Sequence, residues 1–104
     1  MVIELMYFDG CPGHQALLVR LRELMADLGV DVPVTLTRIG SAQEAERARF
    51  IGSPTLRVDG RDVEPTVAER DDYGLTCRLY ASADGLSGTI PDELIVTALS
   101  QARS

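Results

Sequence analysis

Apolar positions along the chain fall into several short runs and two helical stripes. Residues 2–8, Val-Ile-Glu-Leu-Met-Tyr-Phe, form a nearly continuous apolar run ended by Asp9-Gly10. The run is too short for a buried helix and fits a central strand covered on both faces. After Cys11 and Pro12, the residues Leu17, Leu18, Leu21, Leu24, Met25 and Leu28 recur at helical spacing. Arg20, Glu23 and Asp27 take the opposite side, and Gly29 follows as a stop. The spacing predicts a helix over about 12–28.

Val34 to Ile39 has the β-branched content and alternation of a second strand. Ser41-Ala42-Gln43-Glu44 is a capping-box pattern, in which hydroxyl and carboxylate each satisfy an orphan N–H, so a short helix is expected over 42–50, ending at Gly52. Thr55-Leu56-Arg57-Val58 reads as a third strand, followed by the hairpin dipeptide Asp59-Gly60. Residues 61–75 are polar and show no period. Leu75 to Ala81 alternates like a fourth strand, and residues 82–89 form a Ser/Asp/Gly connection. Pro91 opens a last helix striped by Leu94, Ile95, Ala98, Leu99 and Ala102.

The predicted order is β-α-β-α-β-β-α. The first two strands, joined through a helix, should be parallel with a right-handed crossover. The last two pair antiparallel. An α/β/α sandwich around a mixed four-stranded sheet is the natural way to bury these faces.

The 104 residues suit one domain, and the 45% apolar and 25% charged content is ordinary for a globular protein. Such a chain needs neither a disulfide framework nor a structural metal. The net charge is −6, and all ten basic residues are Arg. This acidity argues against a nucleic-acid partner, which needs a basic surface. No stretch has the length of a membrane span, and the N-terminal run carries Glu4 with no basic residue before it, unlike a signal peptide. With only Cys11 and Cys77, these features point to the reducing cytoplasm, where a disulfide is transient and catalytic. No glycine loop of the phosphate-cradling kind is present, and nothing calls for a cofactor.

Two short motifs sit at element boundaries: Phe8-Asp9-Gly10-Cys11-Pro12-Gly13-His14 between the first strand and helix, and Gly52-Ser53-Pro54-Thr55 before the third strand. With this element order, the chain resembles the thioredoxin-like superfamily, in which the first motif carries the reactive cysteine and the second a cis-proline packed against it. The resemblance covers the whole chain except residues 61–75. It implies that Cys11 is a nucleophile, that Ser53-Pro54 is cis, and that Ser53, Pro54 and Pro12 line a substrate site. If cis, the Ser53 backbone would be free to pair with an extended peptide or a thiol substrate. The chain departs from the family pattern in placing His14 where a second cysteine would stand, so no local Cys-x-x-Cys disulfide forms.

Cys11 precedes a helix whose first amides lack partners, a setting that lowers thiol pKa. His14, three residues on, is placed to pair with a thiolate or take the thiol proton. Asp9 opposes the thiolate or carries protons to a leaving thiol. Cys77 shares a strand face with Leu75 and Leu79, which fits a core cysteine. The alternative is a resolving cysteine that captures a mixed disulfide formed at Cys11.

Three functions follow in order. The first is a thiol-dependent redox protein in which Cys11 attacks a disulfide or oxidised substrate, with Cys77 or a small thiol resolving it and a protein or low-molecular-weight thiol as partner. The second is a non-catalytic thioredoxin-like binding module. The third is handling of a soft metal or organomercury-type species by thiolates, which requires Cys11 and Cys77 to converge.

Overall fold

The computed structural model describes residues 1–11, 13–83 and 85–103. Pro12, expected to line the site, falls outside these residues.

Four strands form one mixed sheet in the order β2-β1-β3-β4: β1 (Ile3–Tyr7), β2 (Val34–Arg38), β3 (Thr55–Val58) and β4 (Arg61–Asp62). β1 runs parallel to β2, from Ile3 opposite Val34 to Tyr7 opposite Arg38. It is antiparallel to β3, from Ile3 opposite Val58 to Met6 opposite Thr55. β1 is therefore an inner strand, as its nearly continuous apolar run predicts. Its period of two sends Ile3 and Leu5 to one face and Met6 to the other.

Three helices cover the sheet. α1 (His14–Asp27) buries Leu17, Leu21, Leu24 and Met25, and α3 (Asp92–Arg103) buries Ile95 and Leu99. Both stripes pack on the Ile3/Leu5 face with Leu56 and Val58 in one core cluster. α2 (Ala42–Ala48) lies on the other face, where Ala45, Met6, Ile39 and Phe50 form a second cluster. Two helices on one side and one on the other give the expected layered sandwich. Among the described residues, no helix is long and apolar enough to cross a membrane.

The local signals act as their chemistry requires. At the end of α1, Gly29 adopts φ +69° and Val30 N–H donates to the Met25 carbonyl, 2.8 Å, closing the helix in left-handed backbone. Ser41 Oγ accepts from Glu44 N–H at 3.1 Å. The Glu44 carboxylate takes the Gly40 N–H at 3.0 Å, one residue ahead of the cap. Asp59 and Gly60 both have positive φ, 53° and 80°, the backbone of a two-residue hairpin turn whose twist matches its strands.

That turn corrects one expectation. The antiparallel neighbour of β3 is β4 at Arg61–Asp62, directly after the turn, and not residues 75–81. A tight hairpin closes a far smaller loop than a strand sixteen residues on, so it claims the sheet edge first. The segment expected to be irregular thus begins with a strand, followed by a 3₁₀ turn at Pro65–Val67. Farther on, β5 (Tyr80–Ser82) and β6 (Gly85–Ser87) form a separate small hairpin. α1 begins at His14 with Gly13 as its cap, two residues later than the spacing suggests.

Candidate functional site: a disulfide strapped over the Ser53–Pro54 edge

Cys11 lies between β1 and α1, two residues ahead of the helix cap, and is 8% exposed. Its backbone N–H reaches the Phe8 carbonyl at 3.4 Å, so the chain turns tightly after β1. The start of α1 has no side-chain cap. Its first-turn amides leave the positive end of the helix dipole a short step along the chain from Cys11.

The segment Thr76–Arg78 crosses the site as a strap. Ser53 N–H donates to the Thr76 carbonyl at 2.8 Å, and Arg78 N–H donates to the Ser53 carbonyl at 2.9 Å. These two bonds make a parallel bridge between Ser53 and Cys77. The Ser53–Pro54 peptide is cis. Directly over it, Cys77 is joined to Cys11 in a disulfide with the Cα atoms 5.7 Å apart, across 66 residues of chain. That separation is within the ordinary range for a disulfide. The Cys11 sulfur also touches the Ser53 carbonyl oxygen, 3.7 Å away.

This arrangement corrects two sequence expectations. The Ser53 backbone is not free for an incoming peptide, because the chain's own strap uses both its N–H and its carbonyl. Cys77 is also not a core residue. Leu75 and Thr76 are both exposed, and from Cys77 to Tyr80 the alternation holds with the opposite face inward: Cys77 and Leu79 are exposed, while Arg78 and Tyr80 are buried.

The inward face is secured by an ion-pair network that the sequence reading did not anticipate. The Arg78 guanidinium, 3% exposed as a residue, grips Asp62 through two hydrogen bonds of 2.7 and 2.8 Å. It reaches Glu64 at 3.2 Å and Thr55 Oγ1 at 3.1 Å. The Tyr80 ring lies beneath it, 4.4 Å from ring centroid to guanidinium carbon. Burial works against this charge, but the hydrogen bonds to Asp62 and Glu64 outweigh it and hold the Arg78 pKa above its usual value. Breaking such a pair from one side costs about 3–5 kcal/mol, mostly because the remaining carboxylates stay partly buried without a counter-ion.

Tyr80 completes the attachment. Its hydroxyl donates to the Pro54 carbonyl at 2.6 Å, and burial pushes the phenol pKa far above its ordinary value, so it remains a donor. Gly52 is where the strap comes closest to the loop. A Cβ there would lie 2.9 Å from Arg78 Cβ and 3.0 Å from the Thr76 carbonyl, and its φ of +141° suits glycine.

His14 is the first residue of α1 and stacks its ring on Tyr7, with centroids 3.9 Å apart and planes 10° from parallel. Its Nδ1 is buried without a hydrogen-bond partner. Asp9, placed by sequence beside Cys11, is engaged by Arg38 at 2.7 Å. Of the predicted site residues, Cys11, Ser53, Pro54 and Cys77 therefore converge, while His14 is held by Tyr7 and Asp9 by Arg38.

The residues missed from sequence are Arg78, Asp62, Glu64 and Tyr80. The signal was present in the strict alternation of 75–80, but apolarity pointed the leucines inward, and only a waiting pair of carboxylates reverses that choice. Among the described residues, no group of three or more His, Cys, Asp or Glu side chains is placed to hold a metal ion. Comparison with known proteins finds no matching family model, no similar curated protein and no similar solved structure.

Proposed function

We propose that this chain is a thioredoxin-like thiol–disulfide redox protein whose working couple is Cys11 and Cys77. The observation that carries this reading is the meeting of its only two cysteines at a strand-to-helix connection, beside a cis X-Pro bond, from positions 66 residues apart. The β2-β1-β3-β4 order, with β1 parallel to β2 and antiparallel to β3, supports the same family reading.

In this reading a thiolate of a protein or low-molecular-weight partner attacks one sulfur of the disulfide. A mixed disulfide forms and the other cysteine leaves as a thiolate. A second partner thiol then releases the mixed disulfide, so that two partner thiols are oxidised for each protein disulfide reduced. Run in reverse, the Cys11 thiolate attacks an oxidised partner and Cys77 resolves the product. The uncapped start of α1 favours the Cys11 thiolate, and His14, three residues along the chain, carries its proton, since Asp9 is paired with Arg38. The occupied Ser53 backbone counts against a simple peptide-binding module. The convergence of the two sulfurs favours one further reading: once reduced, the pair offers two thiolates to a soft cation such as mercury(II).

The test is a titration of the full chain in glutathione redox buffers, with free thiols counted by alkylation and mass spectrometry. A single two-electron transition, with Cys11 and Cys77 freed together, supports the redox couple. In Cys77→Ser, Cys11 should collect a glutathione adduct. Thiols that stay free in every oxidising buffer, or that alkylate independently of one another, would overturn the reading.

A further inference from the structure

Residues 68–79, between the 3₁₀ turn and β5, belong to no helix or strand of the sheet. Their backbone is tied down by the two Ser53 bonds and by Gly74 N–H to the Phe50 carbonyl at 3.0 Å. Along this whole stretch Arg78 is the one buried residue. Leu75, Thr76, Cys77 and Leu79 are all exposed, so apolar burial does little to hold the strap down.

We propose that Arg78, clamped between Asp62 and Glu64, is a positioning residue that keeps Cys77 against Cys11 when the disulfide is open. This role rests on the redox function proposed above. In the oxidised chain the S–S bond fixes Cys77 at Cys11 covalently, in addition to the strap's hydrogen bonds. In the reduced chain without the clamp, the strap keeps only its backbone bonds to Ser53 and Phe50 and the Tyr80 hydroxyl bond beyond it, and as these open the effective concentration of Cys77 at Cys11 falls toward the mM level of a flexible tether. An anchor on the adjacent residue prevents this. The guanidinium suits the task because its fork meets both Asp62 oxygens at once, whereas an ammonium meets one. Arg78 thus shifts the equilibrium toward the closed disulfide without touching either sulfur.

The experiment measures the equilibrium constant for disulfide formation against reduced and oxidised glutathione, in the wild-type chain and in Arg78→Met, Arg78→Lys and Asp62→Asn. Arg78→Met should lower the constant at least tenfold, which is about 30 mV for this two-electron couple. Arg78→Lys should recover part of that loss, and Asp62→Asn should move the constant in the same direction as Arg78→Met. If Arg78→Met fails to fold by far-ultraviolet circular dichroism, Asp62→Asn carries the test. A residue that merely stabilises the fold would lower the melting temperatures of both redox forms equally and leave the constant unchanged. Constants within twofold of wild type in the folded variants would overturn the positioning role while the redox couple stands. A wild-type disulfide that does not exchange with glutathione would overturn both.

Discussion

Opening the Cys11–Cys77 bond releases a constraint on a loop of 66 residues, well over half of the chain. In the chain-entropy treatment the disulfide lowers the entropy of the unfolded ensemble by about 2.1 + 1.5R ln 66 cal/mol/K, or about 15 cal/mol/K, which is about 4 kcal/mol at 25 °C. The oxidised chain should therefore exceed the reduced chain in unfolding free energy by about 4 kcal/mol. At ~4 °C per kcal/mol for a domain of this size, the melting temperatures should differ by about 15 °C. Urea unfolding of oxidised protein, of protein held in dithiothreitol, and of the double variant Cys11→Ser/Cys77→Ser measures the difference directly. The oxidised form should also show a smaller denaturant slope, because its cross-linked unfolded state exposes less surface. Linkage supplies an independent check. The same free energy must reappear as the ratio of disulfide-formation constants in the native and urea-unfolded chains, about a thousandfold for 4 kcal/mol. Oxidised and reduced forms unfolding within about 1 kcal/mol of each other would refute the chain-entropy argument for this loop. A constant that barely changes between native and unfolded chains would show that the fold does not bring the two thiols together.

Two further substitutions probe the seat of the strap. Gly52→Ala places a methyl group against Arg78 Cβ and the Thr76 carbonyl at a φ of +141°, so crowding and backbone strain together should cost about 2–4 kcal/mol in urea unfolding. A loss under about 0.5 kcal/mol would mean that the strap lies farther from the loop. Tyr80→Phe deletes the hydrogen bond to the Pro54 carbonyl and should cost about 1–2 kcal/mol. Burial raises the Tyr80 phenol pKa in the folded chain, so its contribution is complete below the unfolded phenol pKa of about 10 and is lost as pH rises above it. Alkaline stability curves of wild type and Tyr80→Phe should therefore diverge above about pH 10, with the wild type falling more steeply. Parallel curves would place the phenol in water.

Much of the scaffold was legible in the order of residues, because each signal involved is local. The apolar run of β1, interrupted only by Glu4, marked an inner strand, since a strand covered on both faces reads as a nearly continuous run. The stripes of α1 and α3 named the face they bury, and Gly29 marked the end of α1, Ser41 the start of α2 and Asp59-Gly60 the end of β3, through backbone conformations and hydrogen bonds made within a few residues. The two motifs around Cys11 and Ser53-Pro54 stood out for the same reason: each is a short segment at an element junction. Tertiary structure alone decided how the chain after the hairpin folds back. Whether Arg78 or its leucine neighbours turn inward depends on Asp62 and Glu64, sixteen and fourteen residues away, because a guanidinium stays out of water only where carboxylates meet it. That same choice turned Cys77 out of the core, laid its backbone along Ser53 and closed the pair with Cys11 across 66 residues. Periodicity records which residues share a face. Which face is buried is set by partners brought from elsewhere in the chain.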